Sequence, residues 1–113
     1  MTYNRKSTRF YSKMQENNVA KVLGGKCTPN SGATKYYKGD VSSSEWLIEC
    51  KTCMSNKQSF AIKKDWIKGI KEDAFQQGKM NYALAFNFGP NQENYYIIDE
   101  KKFKEILELE SND

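Results

Sequence analysis

The order of hydrophobic patterns in the middle of the chain favours a fold that combines strands and helices. Residues 45–52 have the apolar pattern of a strand, and a run of three serines precedes it as a turn. Residues 65–77 then carry apolar side chains at helical spacing, and residues 80–88 read as a mostly apolar strand. This mixture predicts an α/β fold in which helices cover a β-sheet. The predicted helical stripe consists of Trp66, Ile67, Ile70, Ala74 and Phe75.

The whole chain is predicted to form one domain, because 113 residues are few for two hydrophobic cores. Asp99 is expected to cap the last helix, and a polar loop is expected at 26–38. A basic arm is expected at 1–11 and a frayed end at 111–113. The apolar side chains expected to face the core from the last helix are Phe103, Ile106, Leu107 and Leu109. The predicted elements are helices at 12–23, 65–77 and 100–109 and strands at 38–41, 45–52, 80–88 and 95–98.

The chain contains no histidine, which excludes several kinds of catalytic site. Ser-His-Asp and Cys-His nucleophiles, histidine-ligated zinc and nucleases with a histidine base all need that side chain. Catalysis would therefore depend on carboxylates, lysines, hydroxyls or a bound metal. The three cysteines are expected to be reduced, because no export signal is recognisable and their number is odd. A cytoplasmic location is expected, and the mean hydropathy of −0.84 argues against a membrane span.

Positive charge is concentrated in the first third of the chain. The formal net charge is +4, but residues 1–38 carry eight basic side chains and one acid. Aromatic residues are interleaved with these cations, a composition typical of nucleic-acid-binding surfaces. An ordinary solvated basic surface is the alternative. The candidate DNA-binding residues are Arg5, Lys6, Arg9, Lys35 and Lys38.

Two carboxylates and a lysine are predicted to converge on adjacent strands. Alternate residues of a strand share a face, so Glu49 and Lys51 point the same way. If the serine turn folds the preceding strand back, Asp40 lies beside Glu49. Two neighbouring carboxylates repel each other unless a cation lies between them, and oxygen ligands suit Mg²⁺ or Mn²⁺. An exposed ion pair between Glu49 and Lys51 is the alternative interpretation.

The spacing Asp40…Glu49-Cys50-Lys51 resembles the PD-(D/E)xK nuclease signature, with Gly39 where that family often has proline. The resemblance implies a restriction-endonuclease-like fold with a mixed central sheet between helices. It implies a metal held by Asp40, Glu49 and the backbone carbonyl of Cys50. It also implies that Lys51 is the catalytic lysine.

A second set of residues is similar to archaeal-type Holliday-junction resolvases. The segment 29–33, Pro-Asn-Ser-Gly-Ala, resembles their Ser-Gly loop, and Glu16 stands where that family has an acid in its first helix. The resemblance covers about residues 12–98. It implies that Glu16 and Ser31 belong to the catalytic site and that a homodimer makes paired nicks in four-way DNA junctions, in recombination or repair. A small resolvase of this kind would suit a bacteriophage or a mobile element.

Two other functions remain open at this point. A nuclease of the same fold could nick or cut linear, flapped or mismatched duplexes instead of junctions. A protein of another class, a non-catalytic nucleic-acid-binding protein, would use the basic residues for binding and the Glu49–Lys51 pair for stability. Cys50 and Cys53 form a Cys-x-x-Cys motif, but one further cysteine and no histidine cannot complete a four-ligand zinc site.

Overall fold

The computed structural model describes residues 7–29 and 39–112 and has the mixed α/β architecture that the sequence predicts. In these residues a five-stranded mixed sheet is flanked by helices. The strand order in the sheet is β1-β2-β3-β4-β5, with β3 and β4 parallel and the other neighbours antiparallel. The helices are α1 (Thr8–Leu23), α2 (Lys64–Gln76) and α3 (Glu100–Ser111), and the strands are β1 (Lys26–Cys27), β2 (Val41–Ser42), β3 (Trp46–Lys51), β4 (Asn81–Phe86) and β5 (Tyr95–Ile97).

The hydrophobic core has two parts, one on each face of the sheet. On one face, Val19 of α1 packs against β2, β3 and β4. On the other face, α2 packs Ile70 and Ala74 against Leu47 of β3. Because α2 also connects the parallel strands β3 and β4, it is the crossover that parallel pairing requires. The first part consists of Val19, Val41, Ile48, Ala83 and Ala85, and the second of Leu47, Ile70 and Ala74.

The beginning of the chain is more regular than the sequence predicts. Helix α1 begins at Thr8, where the hydroxyl of Ser7 accepts a hydrogen bond from the backbone N–H of Phe10. Residues 8–11, expected in a basic arm, are therefore its first turn. The helix ends at Gly24, whose φ of 70° suits glycine. Strand β1 occupies the start of the expected loop, and residues 30–38 of that loop lie outside the described residues.

The prediction that α3 contributes to the core was wrong. Asp99 does cap this helix, accepting a hydrogen bond of 2.8 Å from the Lys102 N–H. Its amphipathic pattern, however, is not used within the described part of the chain, where α3 buries none of its residues. Phe75 of α2, also expected in the core, is 86% exposed. None of the described helices combines the length and the apolar character of a membrane-spanning helix.

Candidate active site

Asp40 directly precedes β2, between the ends of β1 and β3, and its carboxylate is held by the backbone of β3. Its N–H donates a hydrogen bond of 2.9 Å to the carbonyl of Ile48. Its Oδ2 accepts a hydrogen bond of 2.8 Å from the N–H of Cys50. The side chain thus takes the place of a backbone carbonyl where the pairing between the two strands ends. The position of this carboxylate is therefore fixed by the sheet.

Gly39 occupies a position that proline could not take. Its φ is +77°, and a Cβ built there would lie 2.7 Å from Cγ of Leu47. Proline cannot adopt this conformation, because its ring holds φ near about −65°. The carbonyl of Gly39 accepts a hydrogen bond of 2.7 Å from the Thr28 hydroxyl. This bond holds the residue before Asp40 in place.

Glu49 and Lys51 lie on one face of β3, next to Asp40. The strand register pairs Val41 with Ile48, so Asp40 and Glu49 are the next neighbours along the two strands. The ammonium of Lys51 lies 3.4 Å from Oε2 of Glu49, and both side chains are more than a quarter exposed. A phosphate group could therefore reach either of them from solvent.

Glu16 lies on α1, where the charges of Asp40 and Glu49 act on it, and its neighbour Gln15 anchors the helix. Gln15 is buried, and its amide nitrogen donates a hydrogen bond of 2.7 Å to the carbonyl of Lys51 at the end of β3. The same nitrogen donates to Oδ1 of Asn94 at 3.1 Å. These contacts hold the middle of α1 against the strand that carries Glu49 and Lys51.

Asp40 is the common electrostatic neighbour of the other acidic groups. Burial, and after it the charge of Asp40, raises the pKa of Glu16 from 4.5 to about 6, against the opposing effect of Lys13. Burial and then Asp40 also raise the pKa of Glu49, although Lys51 opposes the shift. The charge of Asp40 thus raises the proton affinity of both Glu16 and Glu49, and a cation beside Asp40 and Glu49 would relieve this repulsion.

Cys50 contributes its backbone and not its thiol. Burial, followed by the charges of Asp40 and Glu16, raises the pKa of the Cys50 thiol. The thiol is therefore protonated at neutral pH. The N–H and the carbonyl of one strand residue point to the same side of the strand. The Cys50 N–H points towards Asp40, so the Cys50 carbonyl also points to the side of β3 where Asp40 lies.

Trp66 lies beneath the ammonium of Lys51 and was not recognised as a site residue from the sequence. The Lys51 nitrogen is 4.5 Å from the centre of the indole ring, and that of Lys63 is 5.7 Å from it. An aromatic face at this distance attracts a cation. Lys51 is thus held from two sides, by the carboxylate of Glu49 and by the ring of Trp66.

The oxygen atoms of Asp40, Glu49 and Cys50 fit a hard divalent cation. Within residues 7–29 and 39–112, no three cysteine, aspartate or glutamate side chains are arranged to hold a metal ion by themselves. Asp40 and Glu49 with the carbonyl of Cys50 nevertheless offer two carboxylates and a peptide oxygen. Mg²⁺ commonly binds one or two carboxylates and keeps water at its other positions, so this set suits it.

The remaining sequence-predicted residues are less closely tied to this cluster. Arg9 is exposed in the first turn of α1. The others lie outside the described residues; they are Ser31, Arg5, Lys6, Lys35 and Lys38.

Comparison with known proteins adds no family assignment to this geometry. No family model, curated protein or solved structure matches the chain.

Proposed function

We propose that this protein is a metal-dependent DNA endonuclease that acts on four-way junctions. The observation that carries the proposal is the position of Asp40 beside Glu49 and Lys51, with its carboxylate fixed on the Cys50 N–H. The sequence resemblance to archaeal-type Holliday-junction resolvases supports the choice of substrate and the expectation of a homodimer. The sheet is mixed, as a restriction-endonuclease-like fold requires.

In this proposal, Asp40, Glu49 and the carbonyl of Cys50 hold Mg²⁺ or Mn²⁺. The bound cation would supply a Lewis acid that polarises the phosphodiester and favours ionisation of a water molecule. The ammonium of Lys51 stabilises the negative charge that develops on the phosphate oxygens during attack. Glu16 accepts a proton near the reaction centre, and a pKa of about 6 suits a general base at neutral pH.

The basic side chains provide the affinity for DNA. Arg9 at the start of α1 and Lys63 beside Trp66 are exposed and carry charge towards solvent. Contacts of this kind bind phosphates without reading sequence. Selectivity for a junction would then come from two active sites at a fixed separation in a symmetric dimer.

The proposal is tested by cleavage of a labelled four-way junction and of a linear duplex of the same sequence, with Mg²⁺ and with EDTA. Paired symmetric nicks in the junction alone, abolished by EDTA, are expected. Glu49→Gln and Lys51→Met should each reduce cutting by about a hundredfold or more, in line with the loss of electrostatic stabilisation. Glu100→Gln and Lys104→Met are matched controls, because they change the same residue types on exposed α3.

Other outcomes would identify the alternatives. Equal cutting of both substrates would indicate a nuclease of the same fold without junction selectivity. Binding without cutting would contradict an enzymatic function. A non-catalytic nucleic-acid-binding protein is favoured by one observation, the direct Glu49–Lys51 ion pair at 3.4 Å, which a stabilising pair would also form.

A further inference from the structure

A small pocket lies between helix α1 and the loop that connects β4 to β5. Its volume is about 170 Å³, several times the share of one molecule in liquid water, about 30 Å³. Most of the residues that line it are asparagine or glutamine, and none of the described ones carries a charge. Tyr11 and Pro90 add flat apolar surface. Such a lining suits a planar, uncharged group that both donates and accepts hydrogen bonds.

Contacts with the backbone fix the orientation of the carboxamides in this pocket. The amide nitrogen of Gln15 donates to the carbonyl of Lys51 at 2.7 Å, and a carbonyl cannot donate, so the nitrogen faces β3. Oδ1 of Asn87 accepts from the Gly89 N–H at 3.2 Å, which leaves the Asn87 nitrogen to donate to Oδ1 of Asn94. Gln15 donates to the same oxygen of Asn94 at 3.1 Å. The orientation of all three side chains is therefore determined.

Two polar groups of this network remain for a ligand. Oε1 of Gln15 is the only buried side-chain oxygen or nitrogen in the described part of the chain that lacks a hydrogen-bond partner, and Gln15 is only 3% exposed. The amide nitrogen of Asn94 donates to none of the described residues. An acceptor and a donor are thus available on two neighbouring amides that line the pocket. Because an unpaired buried group lowers stability, it commonly binds water or a ligand.

We propose that this pocket receives one unpaired nucleobase of a DNA substrate. The edge of a base presents donors beside acceptors, as adenine does with its N6 amino group and N7. Proteins that bind a base outside the stack hold it by hydrogen bonds to its edge and between aromatic or apolar side chains. Gln15 and Asn94 supply the hydrogen bonds here, and Tyr11 and Pro90 supply the walls. The uncharged lining favours a base over a phosphate.

The pocket adjoins the candidate active site along two elements. Gln15 directly precedes Glu16 on α1, and Thr52, which also lines the pocket, directly follows Lys51 at the end of β3. A nucleotide with its base in the pocket therefore holds its phosphates near the candidate site. The choice of DNA as the ligand rests on the proposed function, and the pocket adds recognition of an unpaired base.

The first test compares two labelled DNA duplexes that differ at one position. One carries an unpaired adenine there, and the other carries an abasic nucleotide. Binding is measured in EDTA, which prevents metal-dependent cutting, at one fixed salt concentration. The wild type should bind the adenine duplex about tenfold more tightly, as two hydrogen bonds of ordinary strength allow. Equal affinity would overturn the proposal and leave a pocket that holds only water.

Two isosteric variants separate the pocket from general effects of charge. Asn94→Asp keeps the oxygen that accepts from Gln15 and Asn87 but replaces the free nitrogen, so the preference for adenine should fall to about threefold or less. Asn17→Asp adds the same charge at an exposed position of α1 outside the pocket. It should lower both affinities and leave the preference unchanged. A folded Asn94→Asp protein with the wild-type preference would overturn the proposal, and circular dichroism checks the folding.

A third duplex carries unsubstituted purine, which lacks the amino group of adenine. Because purine offers no donor to Oε1 of Gln15, the wild-type affinity should be about threefold or more below that for adenine. Equal affinity would contradict the role of Gln15.

Cleavage of the four-way junction with Mg²⁺ is measured separately on the same proteins. Cutting without a preference for a base would overturn the proposed pocket and leave the proposed nuclease standing. A preference for a base without cutting would support the pocket and contradict the nuclease. A protein that binds none of these DNA molecules would overturn both.

Discussion

The carboxylate of Asp40 accepts a hydrogen bond from the backbone N–H of Cys50, at a distance of 2.8 Å. This single contact fixes a charged group at the beginning of β2, beside Glu49 on the next strand. Asp40 therefore has two separable roles. Its oxygen completes the backbone hydrogen bonding of β3, and its charge shapes the electrostatics of the site.

The two roles of Asp40 can be separated by two substitutions. Asp40→Ala leaves the N–H of Cys50 without its acceptor, and we expect it to lower the free energy of unfolding by about 1–3 kcal/mol. Asp40→Asn keeps an oxygen acceptor and removes the charge that repels Glu16 and Glu49, so it should retain or increase stability. Urea denaturation measures both. The proposed nuclease activity, in contrast, should be lost in both variants. Equal destabilisation by the two substitutions would show that the hydrogen bond does not determine stability here.

Burial of Glu16 should make stability depend on pH in a defined window. Its pKa rises from 4.5 to about 6 on folding, so the folded protein holds more protons than the unfolded chain between these values. Stability from this group therefore falls as the pH rises through the window. Glu16→Gln removes the penalty and should raise the melting temperature at pH 7.5 by about 2–4 °C. At pH 4 the variant and the wild type should melt alike, and exposed Glu108→Gln should have no such effect at either pH.

Divalent cations should stabilise the fold at neutral pH. At a concentration ten times the dissociation constant, a ligand of the folded state adds about 1.4 kcal/mol, or about 5 °C in a domain of this size. We expect Mg²⁺ or Mn²⁺ to have this effect on the wild type and not on Asp40→Asn or Glu49→Gln. Protonation of Glu49 removes a ligand, and protonation of Glu16 below about pH 6 removes nearby negative charge, so the effect should shrink as the pH falls. Thermal unfolding with Ca²⁺ as a comparison tests it; an equal shift in all variants would place the cation elsewhere.

The elements of the fold could be predicted where a local pattern coincided with burial. Strand β3 and the capped start of α3 follow from alternation and from Asp99, and both were predicted within a few residues. The environment of α3 could not be predicted in this way. Its apolar spacing is that of a buried helix, but spacing does not reveal whether another element of the same chain covers it. Strand β1 was missed because two residues are too few to show a period.

Only the part of the candidate site that lies on neighbouring strands could be predicted from the sequence. The proximity of Asp40, Glu49 and Lys51 follows from alternation and from a turn that reverses the chain. Gln15 and Trp66 could not be assigned, because their contacts with β3 join residues distant in sequence. Trp66 belonged to an apolar helical stripe, and nothing in that stripe distinguishes a core residue from one that contacts a lysine.

In the proposed nuclease, Trp66 should influence catalysis through Lys51. Replacing it with leucine removes the aromatic face 4.5 Å from the ammonium, an interaction of about 0.5–2 kcal/mol. Cutting by Trp66→Leu should fall by about threefold to thirtyfold through kcat, with KM nearly unchanged, because Lys51 acts on the developing charge. Trp66→Phe should recover part of the loss. A change in KM alone would instead indicate that Trp66 contributes to DNA binding.

The backbone at Gly39 provides a final test with an internal control. Gly39 and Gly78 both have positive φ, 77° and 71°, but only at Gly39 would a Cβ meet another side chain, that of Leu47. Gly78→Ala should therefore cost about 1 kcal/mol of unfolding free energy, the conformational term alone. Gly39→Ala adds displacement of a buried leucine and should cost about 2–4 kcal/mol in total. Gly39→Pro, which introduces the residue common in the nuclease signature, should be worse still, because its ring excludes this φ. Urea denaturation of the three variants measures the order of their stabilities. A Gly39→Ala variant no less stable than Gly78→Ala would contradict the close packing of Leu47 against Gly39.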